Sequence, residues 1–158
     1  MLKVLSLTVV LGLSLSAYSE VVRPAADFTF PATVKKNASL KSLRGQAVVL
    51  LVTDSSSNKA FKKQLRYLEE IYEQFASKQV VFIAAIKNPD GTVRSNIPFL
   101  IANSQPAITA AYGIQEPFHL VIIGQDGNID YRTDKVCTGE RVRDVIQNSF
   151  TIQAAARK

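Results

Sequence analysis

The amino-acid sequence predicts an α/β fold in which a central mixed β-sheet is flanked by helices. Segments with the pattern of buried strands alternate with segments of helical periodicity, in the order strand, helix, strand, helix, strand, strand, helix. A tight Asp-Gly turn joins the last two strands, which therefore form an antiparallel hairpin beside a parallel pair. The length of 158 residues suits one domain of this kind.

The first strand and the first helix have the clearest signals. Residues 40–45 are a helical turn that ends at a glycine, and residues 47–53 are an apolar run typical of a strand buried on both faces. Residues 54–58 are polar and rich in residues that cap helices. A long helix is expected to follow and to end near residues 77–78. Its apolar residues recur at helical spacing on one face: Phe61, Leu65, Leu68, Ile71, Tyr72 and Phe75.

A second buried strand at residues 80–86 completes a β-α-β unit. Such a unit predicts a right-handed crossover and a parallel pairing of its two strands. Residues 88–91 read Asn-Pro-Asp-Gly, which is a strong turn signal. Residues 98–102 follow as a short extended segment.

A short helix and a hairpin come next. Ser104 is a helix cap followed closely by Pro106, and the helix stops at Gly113. Residues 118–123 are an apolar strand, and a Gln-Asp-Gly-Asn turn leads to a return strand at residues 129–132.

The last helix and the chain ends define the domain. Thr138 is expected to cap a final helix with one apolar face. We assign residues 20–26 to a short leader, residues 27–152 to the domain and residues 153–158 to a frayed tail.

The first nineteen residues have the features of a signal peptide. Lys3 supplies a positive start, residues 4–15 are predominantly apolar, and Ala17 and Ser19 are small residues at the two positions that signal peptidase recognises. We therefore expect cleavage before Glu20 and export, with the bacterial periplasm as the favoured destination. A retained membrane anchor is the alternative, although the apolar run is short for a bilayer.

Charge and cysteine content limit the possible functions. The formal net charge is +6, but the lysines and arginines are scattered and accompany no motif that reads nucleic acid, so we expect no nucleic-acid partner. Cys137 is the only cysteine, so no disulfide can form within the chain. There is no cysteine pair and no second histidine for a metal site, and we expect neither a metal nor a cofactor.

Three sequence segments together point to a family. Residues 26–52 contain Asp-Phe-Thr-Phe-Pro, then Leu-Arg-Gly and an apolar strand, and residues 62–86 contain a helix and a strand. Residues 110–132 contain Tyr-Gly-Ile, a proline, a strand and an Asp-Gly hairpin. In this order, over roughly residues 26–150, the chain resembles the thioredoxin superfamily. It is most similar to the exported TlpA-like thiol oxidoreductases and the related peroxiredoxins of the AhpC/TSA type.

The chain departs from that family at the redox centre. The family carries Trp-Cys-x-x-Cys at the start of its first helix, and in register the two cysteine positions fall on Asn58 and Phe61. Disulfide exchange needs a thiolate at the helix N-terminus, where aligned backbone dipoles lower the thiol pKa. We expect Asn58 to cap the helix and Phe61 to join its apolar face. The resemblance therefore implies the scaffold without its usual redox chemistry.

Pro117 and Glu116 are the next residues that the resemblance singles out. Pro117 matches the proline that faces the active site in the family, where it is usually cis, so the resemblance implies a cis-proline here. The family usually has a small hydroxylic residue where this chain has Glu116. A carboxylate at that position argues further against ordinary handling of thiol–disulfide substrates.

A row of basic residues lies on the polar side of the first helix. Cations near a helix N-terminus oppose the helix dipole. The row is interpreted either as a solvated helix face or, together with Glu116, as a docking surface for an acidic partner beside the former redox site. Its members are Lys59, Lys62, Lys63 and Arg66.

Two further residues are weak candidates for chemistry. Cys137 is interpreted as a partly buried small residue or as a thiol that forms mixed disulfides, whose pKa Lys135 and the helix start would lower. His119 is the only histidine. Alternation with Phe118 and Leu120 would place it on the sheet surface, and a structural role is favoured over a catalytic one.

These observations predict a redox-inactive binding or accessory module with a protein partner in the cell envelope and no catalytic residue. One alternative is a single-cysteine thiol oxidoreductase or peroxidase that acts through Cys137. Another is a purely structural subunit of a larger assembly. An open groove around Pro117 would favour partner binding, whereas a filled site would favour a scaffold role.

Overall fold

The computed structural model describes residues 22–34, 36–75, 79–88 and 93–156. The predicted signal peptide at residues 1–19, the helix end at residues 77–78 and most of the turn at residues 88–91 lie outside these ranges. The described strands are β1 (Thr29–Thr33), β2 (Lys36–Ser39), β3 (Ala47–Ser55), β4 (Val80–Asn88), β5 (Leu100–Ile101), β6 (Phe118–Ile123) and β7 (Ile129–Thr133). The described α-helices are α1 (Lys59–Tyr72), α2 (Gln105–Tyr112) and α3 (Gly139–Ala156).

The central sheet is mixed, as predicted. Its strand order is β5-β4-β3-β6-β7. Strand β3 pairs parallel with β4 and antiparallel with β6, and β6 and β7 form the expected hairpin. Strands β1 and β2 form a separate antiparallel pair that the sequence pattern did not predict.

Strand β3 lies at the centre of the sheet. Residues 47–53 are all buried, and all of them except Thr53 are apolar. Val49 and Leu51 face α1 and α3 and belong to one core layer. Leu50 and Val52 face α2 and the β1–β2 pair and belong to the other. The two core layers sandwich the sheet, which leaves its strand ends as the accessible edge.

Caps and glycines bound the shorter elements. Ser104 Oγ accepts a hydrogen bond from the backbone N–H of Ala107 at 3.4 Å, and α2 ends at Gly113, whose φ is +61°. Thr138 Oγ1 accepts a hydrogen bond from the backbone N–H of Arg141 at 3.3 Å at the start of α3, as expected for a cap. None of the described helices combines the length and the apolar character needed to cross a bilayer.

Residues 153–156 continue α3, which runs to Ala156. Fraying of the tail from residue 153 stays a prediction. Alanine has the highest intrinsic helix propensity, so the alanine-rich end prolongs the helix beyond its last apolar contacts.

Candidate functional site

Asn58 caps α1 where β3 gives way to the helix. Its Oδ1 accepts hydrogen bonds from the backbone N–H groups of Ala60 at 2.9 Å and Phe61 at 3.1 Å. Its Nδ2 donates to Asp54 Oδ1 at 3.2 Å. The predicted cap is confirmed. The amide occupies the N–H groups that would otherwise stabilise a negative charge at this helix start.

Phe61 follows one turn later and is buried. Its side chain is 1 % exposed and packs in the core layer beneath α1, together with Leu65 and Leu68. The expectation that Phe61 joins the apolar face is therefore confirmed. The two positions that the resemblance assigns to the cysteines hold a cap and a core residue, and neither side chain has a nucleophilic atom.

Pro117 lies close to the start of α1 and immediately precedes the first residue of β6. The described residues contain no cis peptide bond, so the bond between Glu116 and Pro117 is trans and the expected cis-proline is wrong. The trans isomer before proline is favoured by about 0.5–1 kcal/mol. In this geometry the Pro117 carbonyl accepts a hydrogen bond from the backbone N–H of Asp54 at 3.1 Å, which continues the pairing of β3 with β6.

An open cleft of about 540 Å³ lies beside Pro117. We call it the Pro117 cleft. One wall is the exposed side of α2, and the opposite wall consists of the ends of β3 and β4 and the loop before β6. Its polar and charged side chains are Asp54, Lys87, Gln105, Thr109, Gln115 and Glu116.

The α2 wall of the Pro117 cleft includes one polar group that lacks a partner among the described residues. Gln105 and Thr109 lie one turn apart on α2 and both line the cleft. The Thr109 hydroxyl oxygen is buried and has no hydrogen-bond partner among the described residues. A buried hydroxyl without a partner is energetically unfavourable.

The predicted row of basic residues lies on the exposed side of α1. Lys59, Lys62, Lys63 and Arg66 are all exposed on α1. None of the four forms an ion pair with a carboxylate of the described residues. Lys63 instead lies over the ring of Tyr67, with its Nζ 5.7 Å from the ring centroid.

Part of this row borders a second concave surface, which we call the basic groove. It encloses about 320 Å³ between α1 and the segment after β4. Lys62 and Arg94 supply its positive charges. The remaining residues are the hydroxyl-bearing Ser56 and Ser57 and the apolar Phe61, Leu65 and Val93. The structure does not bring Glu116 into this groove, because Glu116 lines the Pro117 cleft.

His119 is buried, contrary to the expectation that it lies on the sheet surface. It is 6 % exposed and pairs with Val52 in the ladder between β3 and β6, because β6 is buried on both of its faces. Its Nδ1 lies 3.9 Å from Glu116 Oε2, and neither ring nitrogen has a hydrogen-bond partner among the described residues. Burial and then the charge of Arg132 lower the pKa of His119, partly offset by Glu116 and Asp134.

Cys137 is also buried, with 7 % of its surface exposed. Burial raises the pKa of its thiol, while a hydrogen bond with Tyr131 and the charge of Arg141 act in the opposite direction. Lys135 is not among the groups that shift this pKa. A buried thiol with a raised pKa provides little of the thiolate that nucleophilic chemistry needs.

The described residues offer no site for a resident metal ion. They contain no group of three or more histidine, cysteine, aspartate or glutamate side chains that could hold one.

Comparisons with known proteins agree with this architecture. The sequence model of a family described as AhpC/TSA matches residues 21–132. None of the curated proteins matches the chain. The fold is similar to the thioredoxin domain of a thiol-disulfide oxidoreductase from Bacteroides vulgatus, with a TM-score of 0.61 and 15% identity over 79% of this chain and 94% of that one.

Two further solved structures share the fold. Peroxidoxin BcpB from Mycobacterium tuberculosis has a TM-score of 0.60 at 14% identity, covering 83% of this chain and 96% of that one. The exposed lipoprotein thioredoxin Etrx1 from Streptococcus pneumoniae has a TM-score of 0.60 at 16% identity, covering 78% of this chain and 99% of that one. At these identities the similarity demonstrates a thioredoxin-like fold.

Proposed function

Because the chain belongs to the AhpC/TSA family and has a single cysteine, we propose that it is a redox-inactive binding module built on the family scaffold. The observation that carries the proposal is that non-nucleophilic residues occupy both cysteine positions at the start of α1. Asn58 caps α1 and Phe61 is buried in the core, so no thiol is present where disulfide exchange needs one. Cys137 does not replace it, because its thiol is buried and its pKa is raised.

The Pro117 cleft is the proposed binding site. A site filled by the protein's own side chains around Pro117 would have favoured a purely structural role without a ligand. The cleft is instead open, about 540 Å³ in volume, and lined by both apolar and polar side chains, among them Asp54, Lys87 and Glu116. Concave surfaces of this size with convergent polar groups are typical binding sites. The cleft therefore supports binding of a protein segment more than a purely structural role.

The proposal includes export from the cytoplasm. Residues 1–19 have the sequence features of a signal peptide, and one structural neighbour is described as an exposed lipoprotein. We expect the mature protein in a periplasmic fraction to begin at Glu20, as determined by intact mass. A mature chain that keeps residues 1–19 would indicate a retained anchor.

The absence of redox activity is tested with the purified mature protein. We expect neither reduction of insulin disulfides nor consumption of hydrogen peroxide above the rate of buffer alone. Turnover in either assay that Cys137→Ser abolishes would establish the single-cysteine enzyme and overturn the proposal.

Binding in the Pro117 cleft is tested with two adjacent positions of α2. Peptides are first selected from a random phage-displayed library against the wild-type protein. Ala110 is exposed and lines the cleft, so Ala110→Trp should fill it and abolish binding. Ala111 is exposed on the same helix but does not line the cleft, so Ala111→Trp should bind normally. Equal binding by both variants would exclude the cleft.

A further inference from the structure

The start of α1 is electrostatically unfavourable in the isolated chain. The first turn of α1 contains no acidic residue, although acidic residues there would interact well with the positive end of the helix dipole. Lys59, Lys62 and Lys63 place three positive charges in this region instead. Positive charges near a helix N-terminus oppose the helix dipole and are therefore unfavourable. A negatively charged ligand at this helix start would offset that cost.

The basic groove has a second wall that also carries positive charge. Arg94 lies on the segment after β4 and faces α1 across the groove. It is exposed, and it forms no ion pair with any described carboxylate. Lys62 and Arg94 therefore provide unpaired positive charges on two sides of one concavity.

Glu69 holds this second wall in place. Its Oε1 accepts hydrogen bonds from Ser95 Oγ at 2.8 Å and from the backbone N–H of Asn96 at 3.3 Å. These bonds tie the segment after Arg94 to α1 without any ligand. The Glu69 carboxylate is thus engaged with the protein and forms no ion pair with Lys62 or Arg94. A groove whose walls are fixed in advance loses little conformational entropy on binding.

The remaining surface of the groove indicates the kind of ligand. Val93 and the small exposed part of Leu65 give the groove an apolar border above the buried Phe61, and Ser56 and Ser57 also line it. The volume of about 320 Å³ accommodates a side chain or two rather than a folded domain. The combination suits an extended segment with an apolar side chain between acidic ones.

We propose that the basic groove binds an acidic, extended polypeptide segment that places one apolar side chain against Val93 and the exposed edge of Leu65. Carboxylates that flank this side chain bind Lys62 and Arg94. The inference rests on the proposed function, because it names the chemistry of a partner of the redox-inactive module. A polypeptide fits better than an anionic membrane, since a planar lipid surface does not reach the apolar interior of a groove between two walls.

The test uses a fluorescein-labelled peptide of glutamates and aspartates with one central leucine, followed by fluorescence anisotropy with the mature protein. We expect saturable binding that weakens with added salt. The double variant Lys62→Glu/Arg94→Glu should bind at least tenfold more weakly, which corresponds to about 1.4 kcal/mol. Replacing the peptide leucine with serine should also weaken binding.

A matched variant separates the groove from net charge. Lys36→Glu/Lys135→Glu changes the net charge by the same amount at two exposed positions outside the groove. Its affinity should stay within about twofold of the wild-type value at physiological ionic strength, because distant charges are screened. Equal weakening by both double variants would mean nonspecific attraction and would overturn the inference. Circular dichroism establishes that each variant is folded, and the milder Lys62→Gln/Arg94→Gln variant repeats the test if charge reversal unfolds the chain.

Two other outcomes are informative. Binding of phosphatidylglycerol vesicles that depends on Lys62 and Arg94, without binding of the acidic peptide, would identify a membrane surface and overturn the inference. Peptides selected for the Pro117 cleft distinguish failure of the basic-groove inference from failure of the proposed function. If they bind the wild-type protein while the acidic peptide does not, the inference about the basic groove is wrong and the proposed binding module stands.

Discussion

The side chain of Gln64 forms two hydrogen bonds with the backbone of Cys137. Gln64 Nε2 donates to the Cys137 carbonyl at 2.8 Å, and the Cys137 N–H donates to Gln64 Oε1 at 2.7 Å. The Gln64 side chain is fully buried in the middle of α1. This pair ties α1 to the segment that precedes α3, and it holds Cys137 in place through its backbone.

Gln64→Leu should destabilise the protein strongly. The substitution leaves one buried N–H and one buried C=O of Cys137 without partners, and each costs about 1–3 kcal/mol. We expect a loss of about 2–4 kcal/mol in the free energy of unfolding, measured by urea denaturation. Gln147 is exposed on α3, so Gln147→Leu should change stability by less than about 0.5 kcal/mol. Similar effects of the two substitutions would show that the hydrogen bonds contribute little.

The Cys137 thiol should be unreactive in the folded protein. It is buried and its pKa is raised, so both access and thiolate content are low. We expect slow reaction with Ellman's reagent in buffer and rapid reaction in concentrated urea. Cys137→Ser should leave peptide binding in the Pro117 cleft unchanged. Fast modification of the folded protein would revive the single-cysteine hypothesis.

Asn58→Ala should weaken α1 through loss of the cap. The asparagine side chain accepts two backbone hydrogen bonds, and its removal typically costs about 0.5–2 kcal/mol. Asn58→Ser keeps an acceptor oxygen and should recover most of this stability, whereas Asn58→Asp keeps the acceptor but places a second carboxylate beside Asp54 and should recover less. Equal loss in Asn58→Ala and Asn58→Ser would mean that an acceptor oxygen at this position is not sufficient for the cap.

Restoring the two cysteines should not restore the redox centre. In Asn58→Cys/Phe61→Cys the second thiol replaces a core phenylalanine that is 1 % exposed. Truncation of a buried phenylalanine to alanine costs about 3–5 kcal/mol, and cysteine recovers part of that loss. We expect a less stable protein without insulin reductase activity, whereas Asn58→Cys alone should stay close to the Asn58→Ala variant in stability. Efficient turnover by the double variant would show that the scaffold still accommodates the chemistry.

Stability should fall as the pH drops below the ordinary pKa of histidine. Burial and Arg132 lower the pKa of His119 in the folded state, so the unfolded chain binds a proton more readily. Neutral His119 therefore makes its full contribution to the free energy of unfolding above about pH 6.5. This contribution is lost as the pH falls through the pKa of His119 in the folded state. Urea denaturation between pH 8 and pH 5 should show a decline that His119→Leu reduces. The same decline in the variant would assign it to other groups.

The sequence alone was sufficient to predict the strands and helices that have continuous or periodic apolar patterns. The apolar run of β3 and the helical spacing of Phe61, Leu65 and Leu68 depend on local chemistry, and both were confirmed. The cap at Asn58 was predictable for the same reason. Strands β1 and β2 were missed because nearly all their residues are exposed or half-buried, so they lack an apolar pattern, and β1 contains Pro31.

The features of the site that depend on distant parts of the chain were not predictable. The burial of His119 follows from the cover on both faces of β6, which a local alternation of Phe118 and Leu120 does not reveal. The basic groove needs Arg94 opposite Lys62, and that pairing depends on how Glu69 holds the following segment. A cis bond before Pro117 was inferred from family resemblance alone, and the local hydrogen bond to Asp54 is made by the trans isomer.

The position of β3 has a consequence for the order in which the chain acquires its structure. Val49 lies between Phe82 of β4 and Ile122 of β6, so the central strand has its second neighbour only after most of the chain has been synthesised. Until then the nascent polypeptide exposes an apolar strand with an unpaired edge, which is prone to aggregate. Completion of the sheet must therefore await β6, and chaperone binding to the run at residues 47–53 would protect the polypeptide in the interval.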